Sequence, residues 1–114
     1  MLTLDTLREY GADVEDGLKR CLDNEGFYID LVKSVIPDTR VAELEKAIGD
    51  NDLDKAFEIA HALKGMYANL ALTPLTKPVC EATELLRSRT NTDYSALITE
   101  IKAQKAALDK LAEA

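Results

Sequence analysis

Apolar residues recur at helical spacing along the whole chain, and the longest clean stripe runs from Asp52 to Leu70, DLDKAFEIAHALKGMYANL. Leu53, Ala56, Phe57, Ala60, Leu63, Tyr67 and Leu70 form one face of a helix with about 3.6 residues per turn. Asp52 opens it, because a carboxylate there accepts the free N–H groups of a first turn. At about 1.5 Å per residue the helix spans roughly 28 Å.

The flanking stretches carry the same period. Leu4 to Tyr10 reads as a short helix stopped by Gly11. Asp13 caps a second, with Val14, Leu18, Cys21 and Leu22 inward and Asp16 as a partial capping box. Between Asn24 and Ile48, Phe27, Leu31 and Val35 make one apolar row and Val41, Leu44 and Ile48 another, with Pro37 between them. Proline removes a helical hydrogen bond and biases Ile36 toward extended backbone, so these residues allow one kinked helix or two. Gly49 to Asp52 forms the turn into the long stripe. After Leu70 the next helix starts at Thr73-Pro74 or at Thr76-Lys77; Pro78 is awkward in the first case and comfortable in the second. Its inner stripe is Leu75, Val79, Ala82 and Leu86. Arg89 to Thr92 is a polar turn, and Asp93 caps a last helix with Leu97, Ile101, Leu108 and Leu111 inward, fraying at its end. No period-2 strand, repeat or low-complexity tract is present. The expected fold class is all-α. The segment before Ile48, the Asp52 helix, Leu75 to Arg89 and the C-terminal helix form an antiparallel four-helix bundle. One or two short N-terminal helices cover one end.

Composition narrows the picture. One domain over residues 1–114 suffices for a single modest core. A net charge of −7 argues against nucleic-acid binding, which needs basic patches. No stretch has the length of a membrane span, and MLTLDTLREYG lacks the basic start and apolar run of a signal peptide. Cys21 and Cys80 sit in apolar helical patterns as small buried hydrophobes, which fits a reducing cytoplasm. Met1 and the compact length favour a free-standing protein.

The candidate chemistry lies on the Asp52 helix. His61, the one histidine, falls about 120° from the centre of the apolar stripe, on a flank shared with Asp54, Glu58, Lys64, Gly65 and Ala68. An imidazole there is anchored beside the core yet open to water, and near neutral pH it is a nucleophile able to form a covalent intermediate. Lys64, three residues on, is its neighbour on the same side, with a long stem that brings an ammonium to phosphoryl oxygens. Gly65, four residues on, costs about 1 kcal/mol relative to alanine inside a helix; close approach of a partner would explain it. Taken singly each residue has a plainer reading: an incidental histidine, a solvated lysine, a glycine that permits tight packing.

The segment AHALKGMYANLAL resembles the signature of histidine-containing phosphotransfer (HPt) domains, with His61, Leu63, Lys64, Gly65, Ala68, Asn69 and Leu70 matching. Met66 stands where Ser or Ala is common, and Ala71 where Gly is common. Met66 points away from His61, and Ala71 bears on the helix end. The resemblance implies one long bent helix over Asn24–Ile48. It also implies a relay in which His61 accepts a phosphoryl group from the phospho-aspartate of a response-regulator receiver and passes it to another receiver. Lys64 would stabilise charge and Gly65 give clearance, while Asp54, Glu58, Ala68 and Asn69 extend the docking surface. A hybrid sensor histidine kinase and receivers are the implied partners of a monomeric, cytoplasmic phosphocarrier. There is no ATP-binding loop or kinase signature. A single histidine without clustered cysteines makes a zinc site unexpected. No cofactor is expected on this chain, the Mg²⁺ belonging to the receiver. Two other readings compete: a phosphotransfer-inactive helical module that binds receivers or kinases, and a catalytic bundle using His61 as general base, which needs a concave pocket.

Overall fold

The computed structural model describes residues 1–113, and within them every regular element is an α-helix. In chain order these are α1 (Leu4–Tyr10), α2 (Val14–Arg20), α3 (Glu25–Val35), α4 (Arg40–Gly49), α5 (Leu53–Asn69), α6 (Thr73–Arg87) and α7 (Ser95–Glu113). Local sequence explains most boundaries. Thr3 and Thr6 form a reciprocal capping box on α1, and Gly11 ends it at φ 111°. Asp13, Asn24 and Asp52 each accept the third backbone N–H of the helix they cap, from Asp16, Phe27 and Lys55. Asp93 accepts from Ser95 N at 2.9 Å at the start of α7. Of the last residues, where fraying is expected, Ala112 and Glu113 are still helical in α7, and Ala114 lies outside the described residues.

The stretch Asn24–Ile48 is two helices, not one bent one. Pro37 has no N–H, so the Lys33 carbonyl is bonded from Ile36 N at 3.2 Å in a tighter turn, and Asp38 N returns to Val35 O at 3.1 Å. Ile36 itself is helical, φ −59° and ψ −48°, rather than extended. Those turn bonds and Lys105 Nζ, which donates to the Ile36 carbonyl at 3.0 Å, outweigh the steric bias that a following proline imposes. The chain restarts at Arg40, whose N–H is held by the Asp38 carboxylate at 2.8 Å.

Two inward assignments are also revised. Leu22 is 91% exposed and takes φ 55° beyond the end of α2. Phe27 is 51% exposed, while Tyr28, Val32 and Val35 are the buried residues of α3. The stripe is rotated by one residue because Tyr28 is the larger anchor: its ring lies over Gly17 and its hydroxyl donates to the Leu70 carbonyl at 2.8 Å.

α6 begins at Thr73, with Pro74 in its first turn and Pro78 inside the helix. Pro78 leaves the Pro74 carbonyl without its helical donor, but its ring is buried with Leu75, Val79, Ala82 and Leu86, and that apolar burial offsets the loss. The expected inner stripe is therefore correct although the helix starts at the proline-rich end.

α5 packs between α4 and α6, α6 also packs on α7, and α7 returns to α4. The buried apolar side chains form one cluster, with Tyr67, Leu44, Leu63, Leu75, Leu86, Ile101 and Leu108 among its largest members. α1 contacts α7, and Tyr10 donates to the Gln104 carbonyl at 2.9 Å. Asp13 N donates to the Ala71 carbonyl at 2.9 Å. With the Tyr28–Leu70 bond, the N-terminal helices are tied to the α5–α6 turn. Cys21 is buried and Cys80 half-buried, both as free thiols.

Candidate functional site

α5 is fixed along one side by Ala56, Ala60, Leu63 and Tyr67, all fully buried, and this rotation decides what the other side offers. His61 is exposed in mid-helix. Four residues before it, Phe57 packs its ring against the imidazole, with centroids 5.6 Å apart and planes at 74°; this is the helical spacing at which side chains meet. A Cβ built on Gly65 would meet nothing within 4 Å. The glycine therefore does not serve helix packing, and the surface beside His61 is open there.

The charged neighbours are paired. Lys64 Nζ lies 3.7 Å from Glu84 Oε1, and Glu84 also faces Arg87 at 3.4 Å. Arg89 Nε donates to Asp54 Oδ1 at 2.6 Å. Both arginines stand over the Phe57 ring, Arg87 with its guanidinium carbon 5.1 Å from the centroid and Arg89 at 5.0 Å. Arg89 sits at φ 50° just beyond α6, and its Nη1 donates to the carbonyls of Leu86 and Arg87 at 2.6 and 3.3 Å, closing off the free C-terminal carbonyls of that helix.

Of the residues singled out in the sequence, His61, Lys64, Gly65 and Asp54 come together on this patch, with exposed Glu58 on the same helix. Ala68, half-buried, continues the same side. Asn69, exposed at the end of α5, lies roughly 12 Å along the axis from His61, where Arg20 of α2 reaches its Oδ1 at 3.5 Å. Met66 faces away, accepting from Arg40 of α4 at 3.0 Å. Ala71 takes φ 55° in the turn after α5, a left-handed conformation that glycine adopts without strain. Glu84, Arg87 and Arg89 are further residues of the patch that no pattern within α5 announces, because they come from α6 and the turn after it. Their signal in the sequence is the pair of arginines in LLRSRT within an acidic chain, at the junction of the Leu75–Arg89 helix and the polar turn Arg89–Thr92.

Among the described residues, surface clefts of about 320, 390 and 490 Å³ are lined by other residues and include neither His61 nor Lys64. Among the described residues no three His, Cys, Asp or Glu side chains cluster as metal ligands. No helix there is long and apolar enough to cross a membrane. The patch is an open surface carrying a nucleophile, a nearby ammonium and a bare backbone segment, which suits reaction with a group presented by another macromolecule. The model of the Hpt domain matches residues 38–114, from the Pro37 break to the end of the chain. No curated protein and no solved structure matches significantly.

Proposed function

The chain belongs to the Hpt domain family, and we propose on that premise that it is a phosphorelay intermediate with His61 as phosphoacceptor. Members of the family are phosphocarrier modules of two-component signalling, not kinases, and interact with receiver domains and kinases. The observation that carries the finer reading is the exposed imidazole in mid-α5 beside the open surface at Gly65.

The step follows from that surface. A receiver presents its aspartyl phosphate over α5. The lone pair of one His61 ring nitrogen forms the N–P bond as the acyl P–O bond breaks, and the electron pair leaves with the receiver's carboxylate. The imidazole keeps the proton on its other nitrogen and so gains a positive charge, later shed as that proton passes to water. In the onward transfer the second nitrogen takes a proton back from water, the carboxylate of a second receiver attacks phosphorus as the N–P bond breaks, and neutral imidazole leaves. Such transfer depends on positioning and charge neutralisation. Lys64 supplies the cation on this side and the receiver's Mg²⁺ supplies another. Gly65 leaves room for the approach. The interface is small and transient. The proposal includes an antiparallel arrangement of α4 to α7, supported by their short connections, and residues 1–114 acting as one cytoplasmic, monomeric domain. The donor is a hybrid sensor histidine kinase acting through its receiver.

Incubation with a phosphorylated receiver tests the reading. Label should move to this chain as an acid-labile, alkali-stable phosphoramidate, and His61→Gln should abolish it while the helical signal and melting temperature hold. Tight binding of the receiver with no label would make the chain an inactive docking module instead.

A further inference from the structure

An exposed imidazole on a helix surface has several rotamers open to it, yet in-line attack needs one. Among the described residues the aromatic partner of His61 is Phe57, and the surroundings of Phe57 exceed what an apolar stripe requires. Two guanidiniums stand about equally close to its ring, at 5.1 and 5.0 Å, and each is itself anchored. Arg89 is held by Asp54 of α5 and by two carbonyls at the end of α6. Arg87 is held by Glu84, the same carboxylate that faces Lys64.

We propose that Phe57, held by Arg87 and Arg89, is a positioning residue for His61, so that the C-terminal end of α6 sets the orientation of the nucleophile on α5. The inference deepens the phosphorelay reading and rests on it for its functional consequence. Two arginines fix the Phe57 ring, and the ring's edge-to-face contact biases the imidazole toward one rotamer. An aromatic pair of this geometry supplies a bias of roughly 2- to 10-fold. The chain Lys64–Glu84–Arg87–Phe57–His61 also places the phosphoryl-binding ammonium and the nucleophile on one connected set of side chains. A Phe57 that served only the core would show none of this: removing its ring would lower stability and leave the imidazole as mobile as before.

Because the chain has one histidine, NMR of histidine-labelled full-length protein reads the site directly. Side-chain couplings and ring relaxation should report one dominant His61 rotamer in the native chain. Phe57→Leu should average it, Phe57→Tyr should restore it, and the surface pair Arg87→Gln/Arg89→Gln should loosen it partly. With saturating phosphorylated receiver, single-turnover transfer should fall about 2- to 10-fold in Phe57→Leu, recover in Phe57→Tyr, and leave receiver affinity within about twofold. A freely averaging native imidazole, or one unaltered by Phe57→Leu, overturns the proposal. If Phe57→Leu does not fold, the arginine pair decides: an unaltered His61 rotamer there overturns it. Should the native chain take no label while its ordered imidazole is still loosened by Phe57→Leu, the relay reading falls and the positioning stands.

Discussion

At the scale of single residues, Lys64 and Gly65 flank His61 by different physics. Lys64 is partly screened and paired with Glu84 at 3.7 Å, a half-exposed contact worth about 1 kcal/mol or less. Lys64→Ala should therefore leave receiver affinity nearly unchanged and slow single-turnover transfer, by roughly fivefold or more if the ammonium is desolvated against a docked receiver. Gly65→Leu keeps every charge and adds bulk where a Cβ meets nothing. It should stabilise the helix by about 0.8 kcal/mol, visible as a raised melting temperature, while binding and transfer fall together. Normal binding and transfer would mean that the docking surface lies elsewhere. Two buried tyrosines give the matching contrast in stability. Tyr28 donates to the Leu70 carbonyl, whereas the Tyr67 hydroxyl has no hydrogen-bond partner among the described residues. Tyr28→Phe should cost about 1–3 kcal/mol by leaving that carbonyl unpaired, and Tyr67→Phe should be neutral or slightly stabilising. Urea midpoints of the two variants check this.

At the scale of elements, glycines mark where helices touch and where they do not. A Cβ on Gly17 of α2 would come within 2.5 Å of the Tyr28 ring, so α2 and α3 approach closely only because that position is bare. Tyr28 is fully buried and hydrogen-bonded and has little room to yield. Gly17→Ala should destabilise the chain by about 1–3 kcal/mol, the opposite sign to a substitution at the open Gly65. Denaturant unfolding of Gly17→Ala and Gly65→Ala side by side measures the contrast; equal signs would show that the α2–α3 contact is loose in solution. The break at Pro37 belongs to this scale too. It separates α1–α3, which the family match does not cover, from α4–α7, which it does.

For the whole molecule, pH reports on the linked groups. The Arg40 guanidinium bonded to Asp38 holds that carboxyl below the usual carboxylate range. A lowered folded-state value means stability present above the ordinary carboxylate range and lost as pH falls through it, so an acid limb should open below about pH 4. Arg40→Gln should flatten that limb. Burial raises Tyr28 to about 12 and pushes Tyr10 and Tyr67 higher still. A raised value gives stability that is complete below the ordinary tyrosine range and lost as pH rises, so an alkaline limb should open above about pH 10. Melting temperatures from pH 3 to 11 would show both limbs, and a flat acid side in the native chain would remove the Asp38–Arg40 pair as its cause.

The α5 stripe, its Asp52 cap and the exposure of His61 could be read from the chain alone because each is local: period, cap and angle about a helix axis follow from residues within a few turns. The inner stripe of α6 was legible for the same reason, even with its start open between Thr73 and Thr76. Tertiary structure decided whatever depended on distant partners. Lys105, far along the chain, holds the Ile36 carbonyl and fixes how the helix ends at Pro37. Tyr28 lies over Gly17 and reaches Leu70, turning α3 so that Phe27 faces solvent. Arg87 and Arg89 reach Phe57 from another helix end, and no pattern within α5 could have announced them. Periodicity says which way a side chain points from its own axis; only packing brings two axes together and determines what it meets.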